Sequence, residues 1–323
     1  MKAAIFRKYG PPEVLKVEEA RRPIPKDSEI LVRVRVSSVT SGDARIRGFR
    51  APVVFWLPMR LMLGLLGPRN PVAGQEFAGD VAAVGKAVTQ FRVGDRVFGM
   101  TWLHGANAEY LTIPANGLVA TRPDGLTDAQ AAAIPFGALS ALAFVRDLGR
   151  VRRGQKVLVY GASGCVGVFA IQIAKAFGAE VTGVCGTANM EMVRLLGADK
   201  VIDYTAEDFT RRGETYDLIL DTIGVTSFRR SRPALTPNGV QLFLAGGLTQ
   251  IIQMLWTSLG RGKRVVFGSP RNTRLDLLTI KALVEAGTIS PFIDRAYRLD
   301  EIVEAHRYVD TGRKKGSVII NIA

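Results

Sequence analysis

The stretch most able to do chemistry is Val157-Leu-Val-Tyr-Gly161-Ala-Ser163-Gly164-Cys165-Val166-Gly167. Its glycines follow an apolar run and precede the helix-compatible segment 168–177, the context that turns a glycine motif into a phosphate-binding turn. Gly161 and Gly164 allow a tight turn and close approach to a pyrophosphate, and Gly167 lets the helix pack on the strand. The helix N-terminus offers free N–H groups and a partial positive charge. A plain glycine-rich turn is the alternative, and the flanking elements favour dinucleotide binding over it. An NAD site usually ends its second strand with Asp or Glu on the ribose 2′-hydroxyl. Here the run 181–184 leads into Cys185-Gly186-Thr187-Ala188-Asn189, and the next acid, Glu191, should face away along the following helix. A 2′-phosphate would meet no repulsion there, with Thr187 and Asn189 as donors, so NADPH is the expected cofactor.

Other chemistries lack residues. A catalytic zinc needs about three His, Cys or carboxylate ligands, and no such set is evident. The two histidines are His104, read as a solvated loop residue near Trp102, and His306 on a late helix. No Ser-His-Asp set is suggested. Cys165 sits in the phosphate turn, where a helix N-terminus can lower a thiol pKa, although a small packing side chain is the simpler role.

Two segments are rich in large apolar residues. Residues 49–67 include Phe55, Trp56, Leu57, Leu61 and Leu66, and residues 248–262 include Ile252, Leu255 and Trp256. Core packing is one reading. The others are a lid over an apolar substrate, with Phe55, Trp56 and Trp102 in its pocket, a homodimer contact, or shallow attachment to an anionic membrane.

The elements that must position these residues fall into two groups. The first 125 residues read as β-rich, with clear alternation across 30–36. From Leu126 onwards, short unalternated apolar runs at 157–160, 181–184, 218–220, 240–244 and 265–267 alternate with helical segments. This predicts a parallel sheet buried on both faces, in an α/β fold. Thr127 is the expected cap of the first helix. The tail beyond 270 has no sheet of its own and should return to the first unit.

A chain of 323 residues with 47% hydrophobic and 22% charged residues has ample material for two domains. The net charge of +14 favours anionic partners. Its cations are dispersed, with short clusters at 150–153 and 313–315 read as solvated surface. No nucleic-acid motif is present, so none is expected to bind. With no apolar leader, no disulfide pattern and no membrane-length apolar run, a cytoplasmic location is expected, with a membrane-peripheral face as the alternative.

Further motifs carry a resemblance. Tyr9-Gly-Pro-Pro-Glu-Val-Leu15, Gly74-Gln-Glu-Phe-Ala-Gly79, Val93-Gly-Asp-Arg-Val-Phe-Gly99, Gly105-Ala-Asn-Ala-Glu-Tyr110, Leu196-Gly-Ala-Asp199 and Val201-Ile-Asp-Tyr204 span nearly the whole chain. Together they resemble the quinone oxidoreductase-like, zeta-crystallin-like members of the medium-chain dehydrogenase/reductase superfamily. The resemblance implies a GroES-like catalytic domain from residues 1–125 and 269–323, with a Rossmann domain at 126–268. It implies cofactor contacts from residues 163–166, Thr187, Asn189, Tyr204, Ile223, Ala245 and Phe267, with Tyr204 beside the 2′-phosphate. Relatives often place Lys or Arg where Ala188 stands. They carry Asn where this chain has Thr40, whose hydroxyl either reaches substrate or ribose or merely packs at a strand end. Asp43 is expected to pair with a nearby Arg. Thr40, Ser41 and Gln75 replace the Cys and His of zinc-dependent relatives. The implied activity is zinc-independent, NADPH-dependent hydride transfer to an α,β-unsaturated carbonyl or quinone. The alternatives are zinc-free alcohol–aldehyde interconversion and non-catalytic cofactor binding at a membrane or RNA.

Overall fold

The computed structural model describes residues 1–102, 105–268 and 272–322. The apolar runs of the middle of the chain form a six-stranded parallel sheet. Its spatial order is Lys200–Asp203, Glu180–Cys185, Lys156–Tyr160, Tyr216–Asp221, Leu235–Phe243, Arg264–Phe267. This is the doubly wound Rossmann order, whose ligand crevice opens at the carboxyl ends of the strands where the order reverses. That reversal lies between Lys156–Tyr160 and Tyr216–Asp221. The strands read as unalternated because both faces are covered: Val157, Leu158 and Val159 are all fully buried. Helix Cys165–Ala176 is buried along most of its length between the sheet and the helix Pro135–Leu142.

The second sheet, of the GroES-like part, joins both chain ends. Glu29–Val39 pairs antiparallel with Glu76–Val84, with Tyr110–Pro114 and with the late strand Ser317–Asn321. Arg96–Met100 and Val119–Thr121 extend one side, and Ile293–Arg298 adds in parallel to the late strand. The alternation in 30–36 has its expected meaning, with Val32, Val34 and Val36 buried and Arg33 and Arg35 exposed. The tail therefore does return to the first unit, with Val318 opposite Val39.

Thr127 caps its helix reciprocally with Gln130. The two apolar segments, which carried no capping signal, contain the helices Val53–Leu63 and Leu248–Ser258. The halves are sewn together polar group by polar group. Gly316 N–H donates to Ser163 O (2.8 Å), Phe136 N–H to the Glu76 carboxylate (2.6 Å), and Ser317 Oγ to Ala133 O (3.1 Å).

Candidate active site

The glycine turn has the form that phosphate binding demands. Gly161 has φ +81°, and a Cβ there would lie 2.5 Å from Thr222 Oγ1. A Cβ on Gly167 would lie 2.2 Å from Gly161 O, so only glycine lets the helix start this close to the strand. Gly164 is the N-cap and brings no side-chain acceptor, which leaves the first helical N–H groups for a ligand.

A cleft of about 490 Å³ runs from this turn along the second strand. Its walls bring together Gly161, Ser163, Gly164, Thr187, Asn189, Tyr204 and Ile223, all expected from sequence. Tyr204 is 55% exposed and lies over Gly186, and with Tyr160 it forms an aromatic wall leading into an adjoining depression around Phe209 and Arg230. The loop beyond Tyr216–Asp221 keeps its shape because the Asp221 carboxylate accepts from the N–H groups of Ile223, Gly224 and Thr226 and from the Thr226 hydroxyl.

Four residues of this wall escaped the sequence reading. Gly312, Arg313, Lys314 and Lys315 line the cleft because the Gly316–Ser163 hydrogen bond lays the late segment across the phosphate turn. The signal was the basic cluster 313–315, which read as solvated surface. These cations stand where Ala188 offers none. Thr187 and Asn189 prove less free than expected: the Thr187 hydroxyl donates to the Asp203 carboxylate, and Asn189 Nδ2 donates to Ser163 Oγ (3.1 Å). Asp203 is thus an acid near the ribose end, at the tip of the edge strand, where sequence spacing did not place one. Its carboxylate is held below the usual range by the Thr187 and Thr205 hydroxyls.

A second cavity of about 360 Å³ meets the first at Gly164, Ile223, Gly312 and Lys314. Trp102, Phe136, Phe144, Cys165, Val166, Leu244 and Val309 give it a largely apolar wall, with Arg45, Ser41 and Lys314 as polar elements. Trp102 was expected here, but Phe55 and Trp56 were not rightly placed. Phe55 lies against Phe267 (centroids 6.4 Å), and Trp56 packs edge-on to Phe49 on the outside. Phe267 and Ala245 likewise stay out of the walls of both cavities, and Phe267 spends its ring on Phe55. Cys165 lines the pocket, but burial pushes its thiol up, so it is not a thiolate. His104 lies outside the described residues.

Thr40 requires a correction as well. It is buried, and its hydroxyl caps the helix Ser41–Arg47, accepting from Asp43 N–H (3.0 Å) and donating to the Asp43 carboxylate (2.6 Å). Its one hydroxyl proton is thus spent on Asp43, and Thr40 does not line the chamber. Asp43, expected to pair with an arginine, closes this capping box, and the buried Arg47 pairs with Asp310 (2.5 Å). Burial pushes Asp43 up to about 6 and Glu76 up to about 7, and the nearby charge of Lys314 opposes the rise in both. Lys314 is itself nine-tenths buried and donates one hydrogen bond, to Gly316 O (2.7 Å).

Residues 26–124 match the family described as alcohol dehydrogenase GroES-like domain, and residues 196–320 match zinc-binding dehydrogenase. The mouse NAD(P)H oxidoreductase RTN4IP1, mitochondrial, is 32% identical across all of this chain and 89% of its own length. The chain belongs to the medium-chain dehydrogenase/reductase superfamily. Within it, this is a quinone oxidoreductase-like member and an NADPH-dependent oxidoreductase. Tomato 2-methylene-furan-3-one reductase is 30% identical over 99% of this chain and 79% of its own. The structure of Escherichia coli quinone oxidoreductase complexed with NADPH superposes with a TM-score of 0.84 at 26% identity, covering both chains fully. The residues present fit the cofactor: two glycine positions that a Cβ would fill, an uncapped helix start and a cationic flank. They do not fit the zinc of the superfamily's metal-dependent members. Around Gly42 the structure gathers Thr40, Gln75 and Phe136, a hydroxyl already bonded to a carboxylate, an amide and a hydrocarbon ring. None is the imidazole or thiolate that zinc selects.

Proposed function

We propose that this oxidoreductase reduces an apolar α,β-unsaturated carbonyl or quinone, without zinc. The observation that carries the reading is the junction of the two cavities at Gly164, Ile223, Gly312 and Lys314. A dinucleotide whose pyrophosphate sat on the glycine turn would pass through this junction, from the first cleft into an apolar chamber that holds one buried ammonium. The names of the tomato and Escherichia coli proteins lend support.

Bound NADPH supplies a hydride to the β-carbon of the substrate. The chain's residues do the rest. Phe136, Phe144 and Leu244 exclude water and hold the apolar body of the substrate. Negative charge develops on the carbonyl oxygen, and donors preorganised at that point lower the barrier most. Lys314 takes the role first given to Thr40: an ammonium has three N–H groups, and one of them is bonded to Gly316 O. The α-carbon proton comes from solvent. A simple alcohol would ask the pocket to hold an alkoxide with no metal, which makes it a poor substrate.

NADPH oxidation across a panel of enones, quinones, aldehydes and alcohols tests this. Enones or quinones should be the fastest. Faster oxidation of simple alcohols than reduction of any enone or quinone would overturn the reading. Lys314→Met should lower kcat by roughly 10²–10³-fold, the usual cost of one lost oxyanion donor, with NADPH binding retained and activity partly recovered in Lys314→Arg.

A further inference from the structure

Two helices carry their apolar side chains on the wrong side for a soluble protein. In Leu248–Ser258 and the residue after it, Leu248, Ile252, Leu255, Trp256 and Leu259 recur at helical spacing and are 55–89% exposed. Met254 and Thr257 point inward. An amphipathic helix normally buries the stripe that this one presents. In and beyond Val53–Leu63, Val53 is 93% and Leu66 95% exposed, Leu57, Leu61 and Met62 are more than half exposed, and Trp56 is 46% exposed.

The two helices form one surface. Pro52 comes within 3.4 Å of where a Cβ on Gly247 would stand, and Phe55 meets Phe267 beneath them. The first is also firmly braced. The Arg60 guanidinium lies over the rings of Phe49 (4.1 Å) and Tyr9 (4.6 Å) and donates to Leu65 O (2.7 Å). Tyr9 Oη donates to Gly64 O (3.0 Å). A contiguous, braced apolar face of this kind marks an interaction site.

Charge identifies what covers it. The chain has 29 acids, yet residues 44–75 contain none and residues 222–275 contain none. The same two stretches hold 13 Lys and Arg. Arg50, Arg69, Arg261 and Arg264 are exposed there, and Arg261 shares a depression with Trp256 and Leu259. A second copy of this chain, docked through the same face about a two-fold axis, would set these cations against one another. An anionic bilayer meets both demands at once, with acyl chains for the apolar stripe and headgroup phosphates for the arginines. No described helix is long and apolar enough to cross a membrane, and an interfacial helix does not need to be.

We propose that this face docks the protein onto an anionic phospholipid bilayer, the two helices lying in the headgroup plane. The chamber wall residue Leu244 stands four residues before Leu248, where the second helix starts, and Arg45 eight before Val53, where the first does.

The test uses the full chain with vesicles of phosphatidylcholine alone or mixed with phosphatidylglycerol. Two of the three tryptophans, Trp56 and Trp256, lie on the face, so their emission reports its burial directly. The expected result is a blue shift and co-flotation with the anionic vesicles only, weakened at high salt. Leu57→Ser with Leu255→Ser should reduce flotation at least about tenfold, with NADPH oxidation on a water-soluble substrate unchanged. Arg261→Glu with Arg264→Glu should do the same. Three results would each overturn the proposal: no flotation with anionic vesicles, equal flotation of the folded double variants, or a dimer in sedimentation velocity that the same substitutions dissociate.

Discussion

Changing Glu76 to Gln should remove a pH dependence that the fold has built into its interior. The Glu76 carboxylate is fully buried, accepts from Phe136 N–H (2.6 Å) and from Ser38 Oγ, and is carried by burial from an ordinary 4.5 to about 7. A folded-state pKa above the ordinary value means that the native protein holds this proton more tightly than the unfolded chain does. The stabilisation is complete below the ordinary pKa and is lost as pH rises through the folded value. At about 1.4 kcal/mol per tenfold change in proton affinity, the loss between about pH 4 and pH 8 is roughly 3 kcal/mol. Glutamine keeps the shape, with an oxygen for Phe136 N–H and an amide for Ser38 to accept from, but carries no proton to lose. Urea unfolding at about pH 5 and about pH 8 should therefore show the native protein losing about 2–3 kcal/mol more than Glu76→Gln over this interval. Parallel pH profiles for the two proteins would refute the account of a carboxyl kept neutral by burial.

Three further outcomes are expected. Gly167→Ala should abolish NADPH binding by calorimetry while costing only about 1–3 kcal/mol of stability, because the new Cβ collides with Gly161 O at 2.2 Å; retained affinity would mean that the turn is not the phosphate site. Lys315→Ala should lower kcat/KM for NADPH by about 10–100-fold, as for the loss of one charge-assisted hydrogen bond, and leave NADH nearly untouched; an equal loss with both cofactors would remove Lys315 from the 2′-phosphate. Chelators should leave enone or quinone reduction intact, and one tightly held zinc per chain by elemental analysis would contradict the misfit of Thr40, Gln75 and Phe136.

Local rules made the cofactor half legible. The glycine turn, its strand and its helix are contiguous, so the residues that touch a pyrophosphate lie within one short run. Thr127 caps its helix as expected because a cap is also local, and the structure adds Gln130 to complete the box. The failures were of three kinds. Thr40 was read for the chemistry of its hydroxyl, but Asp43, three residues on, claims that hydroxyl for a helix start. Arg313, Lys314 and Lys315 were seen as a basic cluster but could not be placed, since their location follows from a hydrogen bond between Gly316 and Ser163, far apart in sequence. Asp203 was missed at the ribose end for a similar reason: it belongs to the neighbouring strand, with register opposite Cys185. Phe55 and Trp56 had the composition of a pocket, and only the burial of their neighbours shows which way each turns.

The strand Ser317–Asn321 closes the substrate sheet against Glu29–Val39, so residue 39 must wait for residue 318 before its backbone is paired. During synthesis the Rossmann strands, complete by residue 267, can collapse as a unit while the substrate half still lacks a central strand. Lys314 and Lys315 arrive with that strand. A nascent or C-terminally clipped chain is thus able to form the glycine turn but not the flank that lies across it. Pairing at this separation is slow, and NADPH, by bridging the turn and the late segment, would act as a ligand that rewards its completion.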